Sequence, residues 1–129
     1  MSRQSSARPT DAELAILRVL WQRGPSTVRE VHESLPEGRE VGYTTVLKLL
    51  QIMAEKNLVD RDVADRAHVY RTRAPQAETE RRLVGDLVDR AFGGSAERLV
   101  MRALSATTTS PEELARIRAL LDGMDGGRK

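Results

Sequence analysis

The sequence of 129 residues contains no cysteine, which excludes disulfide bonds, cysteine-ligated zinc sites and thiol nucleophiles. Aromatic residues make up only 3% of the chain and charged residues 31%, a balance that favours a mostly helical protein over a β-sandwich. No apolar run approaches the roughly 18 residues that a membrane-spanning helix needs. The polar first residues have no apolar stretch behind them, so no signal peptide is expected. These absences predict a cytoplasmic protein without membrane insertion.

Motifs that carry catalysis are also missing. Gly93-Gly94 is not followed by the Lys-Ser/Thr of a phosphate-binding loop, and no Ser-His-Asp arrangement has a supporting context. The only histidines, His32 and His68, make a poor metal site without cysteine partners. We therefore expect no catalytic residue, no metal and no cofactor.

The net charge is only +2, and by itself this excess does not point to a nucleic-acid partner. It lies in residues 1–74, which contain 12 Lys and Arg against 10 Asp and Glu. Where the charges are placed is therefore more informative than their sum.

Two amphipathic helices are predicted at the start of the ordered chain. Thr10 and Glu13 have the spacing of a capping box that begins the first helix, and Gly24-Pro25 ends it. Ser26 or Thr27 can cap the second, shorter helix.

A third helix is predicted from about Tyr43 to Lys56. With 100° per residue, Val46, Leu50 and Met53 fall on one apolar face. The opposite, polar face carries Thr44, Lys48, Gln51 and Glu55, and Thr45 lies at its edge. Two β-like runs, residues 58–63 and 67–72, then predict a hairpin.

Three helices followed by a hairpin are typical of the winged helix-turn-helix. The first two helices hold the third so that its polar face can enter the DNA major groove, which is about as wide as a helix. Threonine and lysine suit phosphate or base edges, and glutamine suits adenine. Tyr43 can contact phosphate or pack against the second helix, and Glu55 is expected at the end away from DNA. The predicted DNA contacts are Arg39, Tyr43, Thr44, Thr45, Lys48, Gln51, Arg61 and Arg66.

After Pro75 the pattern is helical to the end, with three apolar stripes. Helices this short would leave a stripe exposed in a monomer, which favours a homodimer; the alternative is that they fold back on the first lobe. The predicted dimer residues are Leu83, Leu87, Val88, Phe92, Leu99, Val100, Leu104, Leu114, Ile117 and Leu121. The predicted organisation is a disordered start (1–9), a winged-helix domain (10–74), a helical dimerisation domain (75–125) and a disordered tail (126–129).

Several separated motifs also have the order and spacing of a known family. They include Leu20-Trp21, Thr27-Val28-Arg29-Glu30-Val31-His32, Gly42-Tyr43-Thr44-Thr45-Val46, Lys56-Asn57-Leu58-Val59 and Arg66-Ala67-His68-Val69-Tyr70. The sequence resembles the penicillinase and methicillin-resistance repressors and their copper-responsive relatives, over residues 10–73 and more loosely over 76–124.

The resemblance implies a homodimeric repressor of an operator with dyad symmetry, dimerised through intertwined C-terminal helices. In the best-known members, a membrane-bound sensor protease system relieves repression through cleavage near an Asn-Phe bond. Here Ala91-Phe92 stands at that place, so the Asn is missing and the inducible cut is put in doubt. The copper-responsive relatives carry paired cysteines near the C-terminus. This chain has no cysteine, which excludes relief of repression by copper through such a pair.

Two other functions fit a winged helix. One is a protein-interaction module, which would show no salt-dependent affinity for DNA. The other is a small-ligand sensor with a pocket near Phe92 and Met101, for which the sequence shows no polar cluster.

Overall fold

The computed structural model describes residues 8–36, 41–64 and 67–126. The chain forms, in order, α1 (Asp11–Arg23), β1 (Ser26–Thr27), α2 (Val28–Ser34), α3 (Tyr43–Glu55), β2 (Val59–Ala64), β3 (Ala67–Thr72), α4 (Gln76–Ala91), α5 (Ala96–Ala106) and α6 (Pro111–Gly126). This is the predicted succession of three helices, a hairpin and three helices, with element ends shifted by one residue.

The chain divides into two compact units, residues 1–83 and 84–129. Helix α4 begins in the first unit and ends in the second. The domain boundary predicted after residue 74 stays a prediction. The disorder predicted for residues 1–9 and 126–129 falls mostly outside the described residues.

Local side-chain chemistry defines the helix starts. The Glu13 amide donates to Thr10 Oγ1 at 3.2 Å, while Glu13 Oε1 accepts from the Thr10 amide at 3.0 Å. Thr27 and Glu30 repeat the same reciprocal pair at the start of α2. Each capping box gives a hydrogen-bond partner to amides that have none within the helix. The predicted cap at Thr10 is confirmed, and Thr27 rather than Ser26 caps the second helix.

Helix α3 ends in a left-handed residue. Asn57 has a φ of 67°, a conformation that asparagine tolerates better than most residues. The Leu58 amide then reaches back to the Met53 carbonyl at 2.9 Å, which closes the helix end. The turn sends the chain directly into β2.

The three strands form one antiparallel sheet in the order β1-β3-β2. Ser26 pairs with Tyr70, and β2 pairs with β3 from Val59–Thr72 to Ala64–Ala67. Strand β1 was not predicted because two residues are too short to show an alternating pattern. It joins the hairpin to the helices at the point where α2 begins.

One hydrophobic core holds the first unit together. It is built from the inner faces of all three helices and from one side of the sheet. Its buried apolar members are Ile16, Leu17, Val19, Leu20, Val28, Val31, Val46, Leu50, Met53, Val59 and Tyr70. Trp21 is half-buried and packs against this cluster.

A buried ion pair joins α1 to the end of α3. Lys56 Nζ lies 2.9 Å and 3.1 Å from the two carboxylate oxygens of Glu13. The Glu13 side chain is only 3% exposed and that of Lys56 is 23% exposed. The pair therefore fixes the C-terminal end of α3 against the N-terminal turn of α1.

We expect Lys56→Met to lower the free energy of unfolding by about 2 kcal/mol, because it leaves a buried carboxylate without its cation. Glu13→Gln should lower it by only about 1 kcal/mol, since the amide oxygen still accepts from Thr10 and Lys56 still reaches water. Urea unfolding at a fixed protein concentration measures both.

The matched control is Arg82→Met, which removes the exposed pair with Glu78 on α4. It should change the free energy by less than about 0.5 kcal/mol. A decrease for Lys56→Met no larger than for this control would contradict a stabilising role of the buried pair.

Candidate nucleic-acid interface

The polar face of α3 is exposed to solvent. Val46, Leu50 and Met53 are 0% exposed, so the helix cannot turn its other side inward. The side chains that this leaves outside are Thr44, Thr45, Lys48, Gln51 and Glu55. The predicted burial of α3 is thereby confirmed, and its outer face offers hydroxyl, amide and ammonium groups to a ligand.

Tyr43, the first residue of α3, packs against the second helix, as one of the two predicted alternatives has it; its contact with phosphate stays a prediction. Its side chain is 47% exposed, yet its ring meets the His32 ring of α2 edge-on, with centroids 6.1 Å apart and an interplanar angle of 84°. His32 Nε2 donates to the Val41 carbonyl at 3.0 Å, because a carbonyl can only accept. The tyrosine is thus oriented at the rim of the polar face.

The register of the hairpin decides which way its side chains point. Arg61 is paired with Tyr70, and directly paired residues share one face of a sheet. Tyr70 is fully buried against the helices, so Arg61 lies on the α3 side of the wing. Val63 and His68, which are also paired, extend this face toward the tip.

The opposite face of the wing carries two ion pairs. Arg71 pairs with Asp62, and Arg73 lies 3.8 Å from Asp60. All four side chains are about half-exposed. Because each arginine has an acidic neighbour, this face contributes little net positive potential.

Among the described residues, two shallow grooves flank α3. The first, here the Arg29 groove, has a volume of about 460 Å³ and is lined by Thr27, Val28, Arg29, Tyr43, Leu47, Ala67 and His68. The second, the Arg61 groove, has a volume of about 520 Å³ and is lined by Gln51, Ala54, Glu55, Val59, Asp60 and Arg61. The sequence prediction included Arg61 but missed Arg29 and His68, which converge only in the fold.

Two of the predicted DNA contacts, Arg39 and Arg66, lie outside the described residues. Arg61 is exposed, but it shares its groove with Glu55 and Asp60. Glu55, expected away from DNA, is the last residue of α3. The direct contacts of all these side chains with DNA stay predictions.

In the part of the chain that the structure describes, none of the predicted dimer residues is fully buried. Neither α4 nor α5 contains a buried residue. The half-buried members of the set are Leu83, Val88, Phe92, Leu99, Leu114 and Ile117, and the exposed ones are Leu87, Val100, Leu104 and Leu121. Helices α5 and α6 do not pack closely against each other, so their apolar stripes stay partly exposed.

The Ala91-Phe92 bond closes α4. The Phe92 amide donates to the Val88 carbonyl at 3.1 Å, and the Gly94 amide donates to the same carbonyl at 2.9 Å. Gly93 and Gly94 have φ values of 57° and 84°, which suit glycine in a helix-ending turn. A protease that requires an extended chain would have to open this last turn.

Within the described ranges, no group of histidine or acidic residues is arranged to hold a metal ion. In the same part of the chain, no helix has the length and apolar character to cross a membrane.

Comparison with known proteins identifies the relatives of this chain. The model of the family described as penicillinase repressor matches residues 9–123. The transcriptional regulator BlaI of Mycobacterium tuberculosis, in strains H37Rv and CDC 1551, is 45% identical over 80 residues. That match covers 61% of this chain and 56% of the relative, so it spans just over half the relative's length.

A solved structure supports the fold. A winged helix-turn-helix domain from Mycobacterium bovis, described as homodimeric and DNA-binding, aligns with a TM-score of 0.50 and 22% identity. The alignment covers 74% of this chain and 84% of that domain. At this identity the likeness concerns the fold alone, and it confirms the predicted winged helix-turn-helix.

Proposed function

The chain belongs to the penicillinase repressor family, and from this membership we propose that it represses transcription by binding, as a homodimer, a palindromic DNA operator. Its family consists of transcriptional regulators, not enzymes. The observation that carries the proposal is the outer face of α3, which the core forces into solvent.

Helix α3 is suited to the major groove by its side chains. Lys48 reaches phosphate or the O6 and N7 atoms of guanine, and Gln51 matches the N6 and N7 atoms of adenine. Thr44 and Thr45 donate to phosphate or contact a thymine methyl group. Arg61 on the α3 side of the wing adds a cation beside this face.

The second half of the proposal is the homodimer through α4, α5 and α6. Of the large hydrophobic side chains that are exposed in the described residues, eight of ten lie from Val84 to Met124. Apolar stripes of this extent are normally covered by a partner, and a twofold partner covers the same stripe on both chains. The symmetry would set two α3 helices about 34–36 Å apart, one turn of DNA.

Relief of repression through a membrane-bound sensor protease system is the regulatory part of the proposal, in a protein of the cytoplasm. The bond concerned is Ala91-Phe92, where Phe is present and the family's Asn is not. Because the Phe92 amide is hydrogen-bonded within the last turn of α4, cleavage there would require local unfolding first. Induction would then destroy the dimer rather than the DNA-reading face.

We expect Lys48→Ala to weaken operator binding about tenfold, because each subunit then has one fewer cation to bind phosphate or guanine. The operator is obtained by selecting duplexes from a random library with the wild-type protein. Gel-shift titration gives the affinity, and circular dichroism checks that the helices are retained.

The matched control is Arg18→Ala, a cation on the exposed side of α1 that lines neither groove beside α3. Its affinity should equal that of the wild type. If Lys48→Ala binds as well as this control, α3 is not the reading helix. A wild-type affinity that does not fall with added salt would favour a protein-interaction module instead.

We expect Leu87→Glu to convert the dimer into a monomer. Leu87 is 48% exposed in the single chain, so a charge there is tolerated by a monomer and is costly only under a partner. Sedimentation velocity at a fixed concentration measures the change, and a chain that ends at Ala74 should also be monomeric.

Val63→Glu is the matched control, because Val63 is 68% exposed but lies on the wing. This variant should remain dimeric. If the Leu87→Glu protein still sediments as a dimer, α4 is not part of the interface.

A further inference from the structure

The Arg29 groove adjoins the polar face of α3. At 100° per residue, Tyr43 and Leu47 lie about 40° apart on the helix, and both line this groove. Thr44 and Gln51 lie about 80–100° from Tyr43, on the exposed side. A duplex read by that exposed side would therefore bring one edge of its backbone over the groove.

The charges around the groove favour an anion. Its ionisable lining groups are Arg29, Tyr43 and His68, and no carboxylate is among its described lining residues. The nearest acid along α2, Glu30, accepts from the Thr27 amide at 3.0 Å and lies 3.5 Å from Arg23. Glu33, one turn beyond Arg29, is exposed on the same helix but does not line the groove.

The Arg61 groove provides the contrast. Glu55 and Asp60 line it together with Arg61, so a phosphate there would meet two carboxylates as well as one cation. Each of these two grooves combines one arginine with apolar side chains. In the Arg29 groove those side chains are Val28, Leu47 and Ala67, and no carboxylate is among the described lining residues. Such a lining fits the phosphates and the deoxyribose rings of one DNA strand.

We propose that the Arg29 groove holds the sugar–phosphate backbone of the operator, with Arg29 and protonated His68 bound to phosphate oxygens. This inference rests on the proposed function and adds to it a binding site for the DNA backbone that does not depend on the base sequence. Binding of a phosphate to His68 favours the protonated imidazole, so the complex takes up a proton. Affinity consequently rises as the pH falls through the range in which histidine gains its charge.

Among the described residues, Arg29 of α2 and Tyr43 of α3 are the other ionisable groups that line the groove with His68. Val63 is the uncharged partner of His68 on β2. His32 is the only other histidine; its Nε2 is bound to the Val41 carbonyl and its ring lies against Tyr43. His32→Gln is therefore the control for His68→Gln.

The first test measures salt dependence. Wild type, Arg29→Ala, Arg29→Lys and Arg18→Ala are titrated against the selected operator and against a scrambled duplex of equal length. Arg29→Ala should weaken binding to both duplexes equally and reduce the slope of log affinity against log salt by about 0.9 for each phosphate that Arg29 neutralises. Arg29→Lys should restore most of that slope, and Arg18→Ala should keep all of it.

The second test measures operator affinity between pH 8.0 and pH 5.5. Wild type and His32→Gln should bind at least about threefold more tightly at the acidic end, because binding of a phosphate favours the protonated imidazole, whereas His68→Gln should not show this gain. Unfolding temperatures recorded across the same range separate weaker binding from unfolding of the protein.

The outcomes separate this inference from the function on which it rests. If the wild type selects no duplex, or Lys48→Ala binds normally, the proposed function itself fails. If Lys48→Ala is weakened while Arg29→Ala keeps the salt slope of Arg18→Ala, the groove does not hold the backbone. A pH dependence that survives in His68→Gln, or disappears in His32→Gln, overturns the role of His68.

Discussion

The burial of one face of α3 is the constraint on which the rest of the structure depends. Val46, Leu50 and Met53 have no exposed surface, and each buried side chain of this kind stabilises the fold by about 1.5–3 kcal/mol. A rotation of α3 by half a turn would bury threonine, lysine and glutamine in place of this apolar face. Hydrophobic burial, which stabilises this orientation by several kcal/mol, therefore sets the direction of the polar face. No specific polar interaction is needed to orient it.

The second unit works in the opposite way. Its helices also carry apolar stripes, but neither α4 nor α5 contains a buried residue. A segment without a core of its own can gain stability from association, and its order then depends on protein concentration. In the proposed homodimer, association of this half would also fix the distance between the two α3 helices, so that a two-part site would be bound more tightly than a single half-site.

The features that were predictable from sequence are those that depend on near neighbours. The capping box of Thr10, the apolar face of α3 and the strand pattern of β3 each need no more than a few consecutive turns or residues. Strand β1 is too short to leave a pattern, and Glu13 and Lys56 are 43 positions apart. Arg29 and His68 come from different elements and meet only because β1 holds β3 beside α2, so no local signal could have joined them.

The charges beside α3 are a second example of a feature that the sequence alone does not predict. The net charge of +2 says little, because the fold sorts the charges by face. The hairpin register places Asp62 on the far side of the wing, where it pairs with Arg71. Asp60 lies 3.8 Å from Arg73 but also lines the Arg61 groove beside α3. The capping box of α2 holds Glu30 beside the Thr27 amide. At the Arg29 groove, no carboxylate is among the described lining residues. A single cation there can attract a polyanion, since this attraction depends on local rather than total charge. The antiparallel register and the helix cap thus determine which acidic side chains are paired locally, in addition to holding the fold together.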